Sequence, residues 1–342
     1  MKKLLPMFFA GVLLVLAACS NDFDVVTDWK EVPVTYAIVS PQDTAHYVRA
    51  EKAFLDPKTS ALVIARIADS LYYPEDAITV WLERTSNQSR VQLHRVDGVV
   101  EGIVRDTGIF ATNPNWLYKY KPTPGNELLP GEEYRLIVER TDGQPAITAE
   151  TTIPQNFNLV KPNLSNIPPL LTFFPSDDTE IEWRADKNAV LFNVKLIIRF
   201  REENASGMTL QHVVLEWDVP SQISLTDLDA QKQRGKVFIP GVEFYRFLRD
   251  NVQPSTDRFR YFENMDVKIE GGGKEIKEYQ LTADANSGIT GAEVFPIYTN
   301  MSEGYGLFSS KNVSVFGGIK VNVKTVDSMS VHPLTFDLNF KY

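Results

Sequence analysis

Few side chains in this sequence are of types that do chemistry, and their spacing narrows the options further. The histidines are His46, His94, His212 and His332. None has a partner at metal-ligand spacing, and there is no His-Glu-x-x-His run, so each is expected to be a strand or loop residue. No Gly-x-Ser-x-Gly elbow is present to activate a serine. Gly271-Gly272-Gly273-Lys274 superficially suggests a phosphate cradle, but the full Gly-x-x-x-x-Gly-Lys-Ser/Thr spacing is missing. A hairpin turn is the better expectation there. The carboxylates Asp177-Asp178, and Asp227 with Asp229, would suit acid/base glycoside hydrolysis if held at a fixed separation. Solvated loops give the same pattern, and no Asp-x-Asp-x-Asp-Gly loop marks calcium. The expectation is therefore no catalytic residue, no metal and no cofactor.

Aromatic platforms are the stronger lead. Asn115-Trp116-Leu117-Tyr118-Lys119-Tyr120-Lys121 lies between Pro114 and Pro122, and Gly304-Tyr305-Gly306-Leu307-Phe308 forms a second aromatic loop. Trp and Tyr faces stack on sugar rings and anchor protein interfaces, so Trp116, Tyr118, Tyr120, Tyr305 and Phe308 are the candidate ligand-binding residues. The competing assignment is a sandwich strand whose Trp116, Tyr118 and Tyr120 pack inward. For the second loop it is a tight glycine turn beneath core aromatics.

The remaining reactive group is the chain's one cysteine, Cys19. Ahead of it stand a positive Lys2-Lys3, an apolar run from Leu4 to Leu16 broken by Pro6, and the small pair Ala17-Ala18. That is the three-part order of a cleavable signal, and it is shorter than the ~20 apolar residues that span a bilayer. Leu16-Ala17-Ala18-Cys19 resembles the lipobox of bacterial lipoproteins, in which the cysteine sulfur takes up a diacylglyceryl group and becomes residue one after cleavage. Several acyl chains anchor stably where one is marginal. With no second cysteine, an intramolecular disulfide is impossible. Ser20-Asn21-Asp22-Phe23-Asp24 is acidic and resembles the export signal of Bacteroidota surface lipoproteins. The expected location is the outer membrane, lipid-anchored and facing the cell surface, with the periplasmic face as the alternative.

The elements that must hold these residues read mostly as strands. The chain has 342 residues, with 20 Phe, 13 Tyr and 5 Trp, while 20 Pro and 19 Gly supply turns. The formal charge of −9 becomes −11 once Met1–Ala18, with Lys2 and Lys3, is removed. An acidic body without a basic stripe argues against nucleic acid as a partner. Strands are expected at Val32–Val39, His46–Phe54, Ala77–Glu83, Arg90–Val96, Val99–Val104, Arg135–Glu139 and Ala146–Ile153, with Asp97-Gly98 as a hairpin turn. Later strands are expected around Ile181–Trp183, Ala189–Phe200, Val213–Val219, Met265–Glu270, Glu275–Thr282, Val313–Val326 and Leu334–Phe340. Short helices fit Ser60–Leu71 and Val242–Asn251. The expected fold is all-β in the main: tandem immunoglobulin-like or fibronectin-like β-sandwiches with one or two short helices. The expected division is a signal peptide at 1–18, a lipid-anchored tether at 19–30, one sandwich at 31–154, a Pro-rich linker at 155–175, and a second sandwich with a helical insertion at 176–342.

Three stretches together resemble an uncharacterised family of Bacteroidota surface lipoproteins. They are Leu129-Pro130-Gly131-Glu132-Glu133-Tyr134-Arg135-Leu136, Ile181-Glu182-Trp183, and Tyr298-Thr299-Asn300-Met301-Ser302-Glu303-Gly304-Tyr305-Gly306-Leu307-Phe308. The resemblance implies tandem β-sandwiches often encoded beside TonB-dependent transporters, with no established catalytic residues. It implies an accessory role in surface uptake or envelope assembly. Together with the anchor, the sandwich pattern and the absent catalytic sets, the expectation is a non-catalytic binding or accessory protein of nutrient uptake or outer-membrane transport, with a transporter or a glycan as partner. The alternatives are a structural subunit of a surface assembly or adhesin, with Leu334–Phe340 as its donor strand, and a glycan-active hydrolase.

Overall fold

A computed structural model describes residues 31–54, 60–219, 223–224, 233–287 and 297–342. The expected signal peptide, Cys19 and the tether lie outside these residues, as do Asp227 and Asp229. The chain is mainly β, in sandwiches, as the alternating patterns lead one to expect.

The first unit is built from β1 (Glu31–Val39), β2 (His46–Phe54), β3 (Ile78–Arg84), β4 (Ser89–Asp97), β5 (Trp116–Tyr120), β6 (Glu133–Arg140) and β7 (Ile147–Thr152). β4 joins its two sheets. Its first half, Ser89 to Leu93, pairs with β3, and its second half, His94 to Asp97, pairs with β5. The strand order thus runs β7-β6-β3-β4 and then β4-β5-β2-β1. The enclosed core takes Val80, Leu82, Leu136, Val138, Ile147 and Tyr118 from alternate positions, as a period of two requires.

The second unit adds β8 (Asn158–Lys161), β9 (Leu170–Leu171), β10 (Asp178–Arg184), β11 (Leu191–Glu203), β12 (Thr209–Asp218), β13 (Ile223–Ser224), β14 (Arg234–Pro240), β15 (Phe259–Gly272), β16 (Tyr305–Val321) and β17 (Phe340–Lys341). A three-stranded sheet, β14-β10-β8, accompanies the larger β12-β11-β15-β16 sheet, and one core draws on both. In β11 every second residue from Phe192 to Phe200 is buried, and Glu202 ends the same inward row. Gly235 is required opposite Trp183, because a Cβ there would lie 2.2 Å from the indole ring. The helices Gly241–Asn251 and Val323–Val331 close this core with Phe244, Tyr245, Leu248, Val326 and Met329. The Tyr245 hydroxyl donates to the Phe173 carbonyl at 3.0 Å.

Several local expectations differ from the structure. Residues 155–175 carry β8 and β9, which pair with β10 and β16. Ile153 falls in the first buried cluster and Phe157 in the second. β16 serves both clusters. Its first residues pair in parallel with β1, from Val34–Tyr305 to Val39–Ser310, and its later ones pair with β15. Met301 and Phe308 therefore belong to the first core. Lys274–Ser287 is a helix where a hairpin return strand is expected, and Val323–Val331 is a helix where a strand is expected to continue. Near the C-terminus, Phe336–Leu338 is a short 3-10 turn and only Phe340–Lys341 is strand, so Leu334–Phe340 is not a donor strand. Residues 99–104 form turns after β4, not a hairpin partner: the Gly98 and Ile103 amides bond to the Asn115 and Gly98 carbonyls at 2.7 Å each.

Candidate binding cleft

β1 begins, β2 ends, β4 ends and β5, β3 and β16 begin at one end of the first sandwich, as the registers Glu31–Phe54, Asp97–Trp116 and Val34–Tyr305 require. Its other end leads through β7 and β16 into the second unit. At the first of these ends is a cleft of about 470 Å³ lined by Asp69, Tyr72, Tyr73, Pro74, Glu75, Arg95 and Trp116. A volume of a few hundred Å³ suits a small ligand or a side-chain cluster of a partner.

β4 and β5 set the geometry. The Arg95 guanidinium lies 4.5 Å from the centre of the Trp116 ring and covers one of its faces. Arg95 Nη1 donates to the Tyr73 carbonyl at 3.3 Å, while its buried Nε has no hydrogen-bond partner among the described residues. Tyr73 and Tyr118 are buried behind the cleft, and burial raises both phenols above the ordinary value. Asp69 and Glu75 are exposed at the mouth. A half-buried indole, a guanidinium and two carboxylates together can hold a polar ligand that also has an apolar face.

The five candidate aromatics separate. Trp116 lines the cleft and is half-buried. Tyr118 and Tyr120 are core residues, so for these two the inward-packing strand assignment holds. Phe308 is 0% exposed and also core, whereas Tyr305 is 44% exposed at the start of β16. Gly306, at φ +141°, lets β16 approach β1: a Cβ there would lie 1.7 Å from the Thr35 carbonyl oxygen. Tyr72, Tyr73 and Arg95 were missed from the sequence. The run Tyr72-Tyr73-Pro74-Glu75 was a visible signal, but its distance from Trp116 in sequence hid the partnership.

The other groups lie apart. His46 is buried, its ring 6.0 Å from that of Tyr120, and burial holds its pKa below the ordinary value. His94 is on β4, His212 on β12 beside Glu263 at 3.0 Å, and His332 against Tyr245 at 4.9 Å. Asp177 and Asp178 stand at the start of β10, where the Asp177 carbonyl accepts the Gly241 amide at 2.8 Å. Among the described residues no three His, Cys, Asp or Glu side chains group as metal ligands. The glycine run leads into a helix, but that helix begins with a buried carboxylate of its own. Glu275 Oε2 accepts from Ser309 Oγ at 2.9 Å and Thr151 Oγ1 at 3.2 Å. A second cleft, about 440 Å³, lies on the second unit, where Arg201 covers the Tyr261 ring at 4.7 Å and Lys320 and Lys341 contribute charge.

No family model matches the chain, and no curated protein does. Among solved structures, the chicken CNTN1 FN1-FN3 domains are similar at 10% identity and a TM-score of 0.19, covering 70% of this chain. The chain spans 63% of that protein's length. Alpha-2-macroglobulin from Escherichia coli, activated by trypsin, is similar at 11% identity and a TM-score of 0.18, over 71% of this chain and 14% of the other. CBD12 from CALX1.2 follows at 8% identity and 0.18, over 73% and 87%. Likenesses at this level carry no argument, and the fold rests on the strand pairings themselves.

Proposed function

We propose that this protein is a non-catalytic lipoprotein of the outer membrane, anchored through Cys19 at the cell surface, where it serves a membrane transporter as an accessory binding component. One observation carries the reading: the segment that leads back to Cys19 joins β1 at the same end of the sandwich as the Trp116 cleft. An anchored molecule holds that cleft towards the membrane plane, where a transporter sits. The aromatic and charged lining suits either a transporter loop or a glycan presented to it.

The test is made in the native host. The anchor predicts that residues 1–18 are absent and that the Cys19 sulfur is acylated, which mass spectrometry reads directly. A photo-crosslinking residue at position 116 should give adducts with a β-barrel transporter. A free Cys19 thiol, or acylated protein whose position 116 meets no transporter and no glycan, would overturn the reading.

A structural role has one feature in its favour. β12 is a ten-residue strand paired only with β11 among the described residues, and most of it is exposed. Such an edge can accept a further strand. His212, Glu216 and Asp218 along it, however, are charged or polar features that guard edges against pairing.

A further inference from the structure

The loops at the two ends of the first sandwich differ in what they show to solvent. At the end where the second unit attaches, 85–88 and 121–132 are polar, and Leu129 is their one large exposed apolar side chain among the described residues. At the end where β1 begins, the helical excursion after β2 exposes Leu62, Val63 and Ile67. The loop between β4 and β5 adds Val99, Val100, Val104, Ile109 and Phe110, with Val100 83% exposed. The two loops touch through the Ala111 amide, which donates to the Ala65 carbonyl at 2.8 Å. Beneath them Ile64, Ala65 and Leu71 are buried and, with Val34, Ala53 and Phe110, line an apolar groove of about 210 Å³.

Two charges in these loops, Glu101 and Arg105, turn inward, while Arg66 and Asp106 stay exposed. Glu101 accepts from the Tyr47 hydroxyl at 2.9 Å and pairs with Lys119. Arg105 holds the buried Glu51 through two nitrogens, at 2.7 and 3.2 Å. The fold thus pairs Glu101 and Arg105 inside and leaves aliphatic and aromatic side chains outward, beside the exposed Arg66 and Asp106. Contiguous apolar surface of this kind marks an interaction face.

The length of chain back to the anchor names the occupant. Twelve residue steps separate Cys19 from Glu31, a reach of at most about 40 Å. That is short enough to keep this end beside the bilayer. We propose that the β1-start end of the first sandwich is a lipid-contacting face, its loops 61–67 and 98–111 seated in the headgroup region of the membrane that holds the anchor. The inference rests on the Cys19 reading. Seating adds apolar burial to the acyl chains.

The test uses the mature chain from Cys19, whose single thiol is coupled to a maleimide-bearing lipid in phosphatidylethanolamine and phosphatidylcholine vesicles. Hydrogen exchange is then compared with uncoupled protein. Amides in 61–67 and 98–111 should slow by about threefold or more, with 85–88 and 121–132 unchanged. The double variant Leu62→Ser, Phe110→Ser, with its fold checked by circular dichroism, should lose the slowing. Equal exchange at both ends on vesicles would overturn the face while leaving the anchor intact. Slowing without vesicles, whether it rises with protein concentration or is constant, would overturn it too, because a second copy or the protein's own chain would then be the occupant. A free thiol in the native protein would instead remove the anchor, and with it the bilayer as occupant.

Discussion

The two units are both sandwiches, yet they spend their apolar side chains differently. The second unit gathers its aromatics inside: Trp183, Phe173, Phe192, Phe200, Phe244 and Tyr245 are all wholly buried or nearly so. Phe173 stacks on Phe244 at 4.1 Å and Phe262 on Phe340 at 4.6 Å. The first unit has a largely aliphatic core and carries exposed apolar loops at one end. Helices close the second core, while in the first the corresponding chain length goes into loops. The lesson is that one architecture admits two kinds of core, stacked aromatics closed by helices in the second unit and alternating aliphatic side chains in the first.

Between them runs a buried polar seam rather than an apolar one. Asn312 on β16 donates to the Pro154 carbonyl at 2.7 Å and to Asn156 Oδ1 at 3.1 Å, and its own Oδ1 accepts from Gln42 Nε2 at 2.7 Å. Ser310 Oγ and Thr151 Oγ1 lie 3.0 Å apart beside Glu275. A satisfied network of this kind fixes one arrangement, because any other leaves buried groups without partners.

The contrast can be broken by mutation, with the largest effect expected in the second unit. Trp183→Ala removes a ring with 0% exposure and should cost about 3–5 kcal/mol, read from urea unfolding. A cost under about 1 kcal/mol would mean the aromatic core is not the stabilising half. Next comes the ion pair between Glu202 Oε1 and Arg260 Nε, 2.8 Å apart and buried on both sides. Arg260→Met should cost about 1–3 kcal/mol, because Glu202 loses its buried partner and keeps only Arg258 and Gln211. Burial works against the Glu202 charge, but Arg260, Gln211 and Arg258 outweigh it and hold the carboxyl below its ordinary 4.5. The stability it contributes is therefore present above pH 4.5 and lost as pH falls through the lower folded value.

At the seam, Glu275→Ala leaves Ser309 and Thr151 without their shared acceptor and should cost about 1–3 kcal/mol. If the units cooperate through this network, separate probes should report one coincident unfolding transition in the native protein and two in the Glu275→Ala variant. The first unit has its own pH signature at His46. Burial lowers its imidazole below 6.5, with Asp43 opposing. The folded state keeps the ring neutral while the unfolded chain takes up a proton below pH 6.5, so stability present above that pH falls as pH drops towards the folded value. His46→Gln should remove this component from urea midpoints measured on either side of 6.5. The smallest effect belongs to the contact loops. Val100→Ser, at a side chain 83% exposed, should change stability by no more than about 0.5 kcal/mol in the same urea unfolding.

How much of this could be read beforehand follows from the range of each signal. β2 was legible to its ends, since His46–Phe54 is bounded by turn residues and carries a strand's composition. The helix Gly241–Asn251 was legible because Phe244, Phe247 and Leu248 share a stripe just after Pro240. Lys274–Ser287 was not, because its short apolar and polar alternation fits either period and only packing against β16 decides. Of the cleft, Trp116 was visible as an aromatic between prolines, but Arg95 across its face was not.

Local pattern alone determined that this is a β-rich chain, because side-chain alternation needs no distant partner. Tertiary structure decided everything that depends on pairing across long sequence distances. That includes β16 shared between two units, Phe308 placed inside and Tyr305 left outside, and the apolar loops gathered at the end where β1 begins. Register is the physical reason: moving a strand by one residue turns every side chain to the other face, and only the assembled sheet fixes which face is buried.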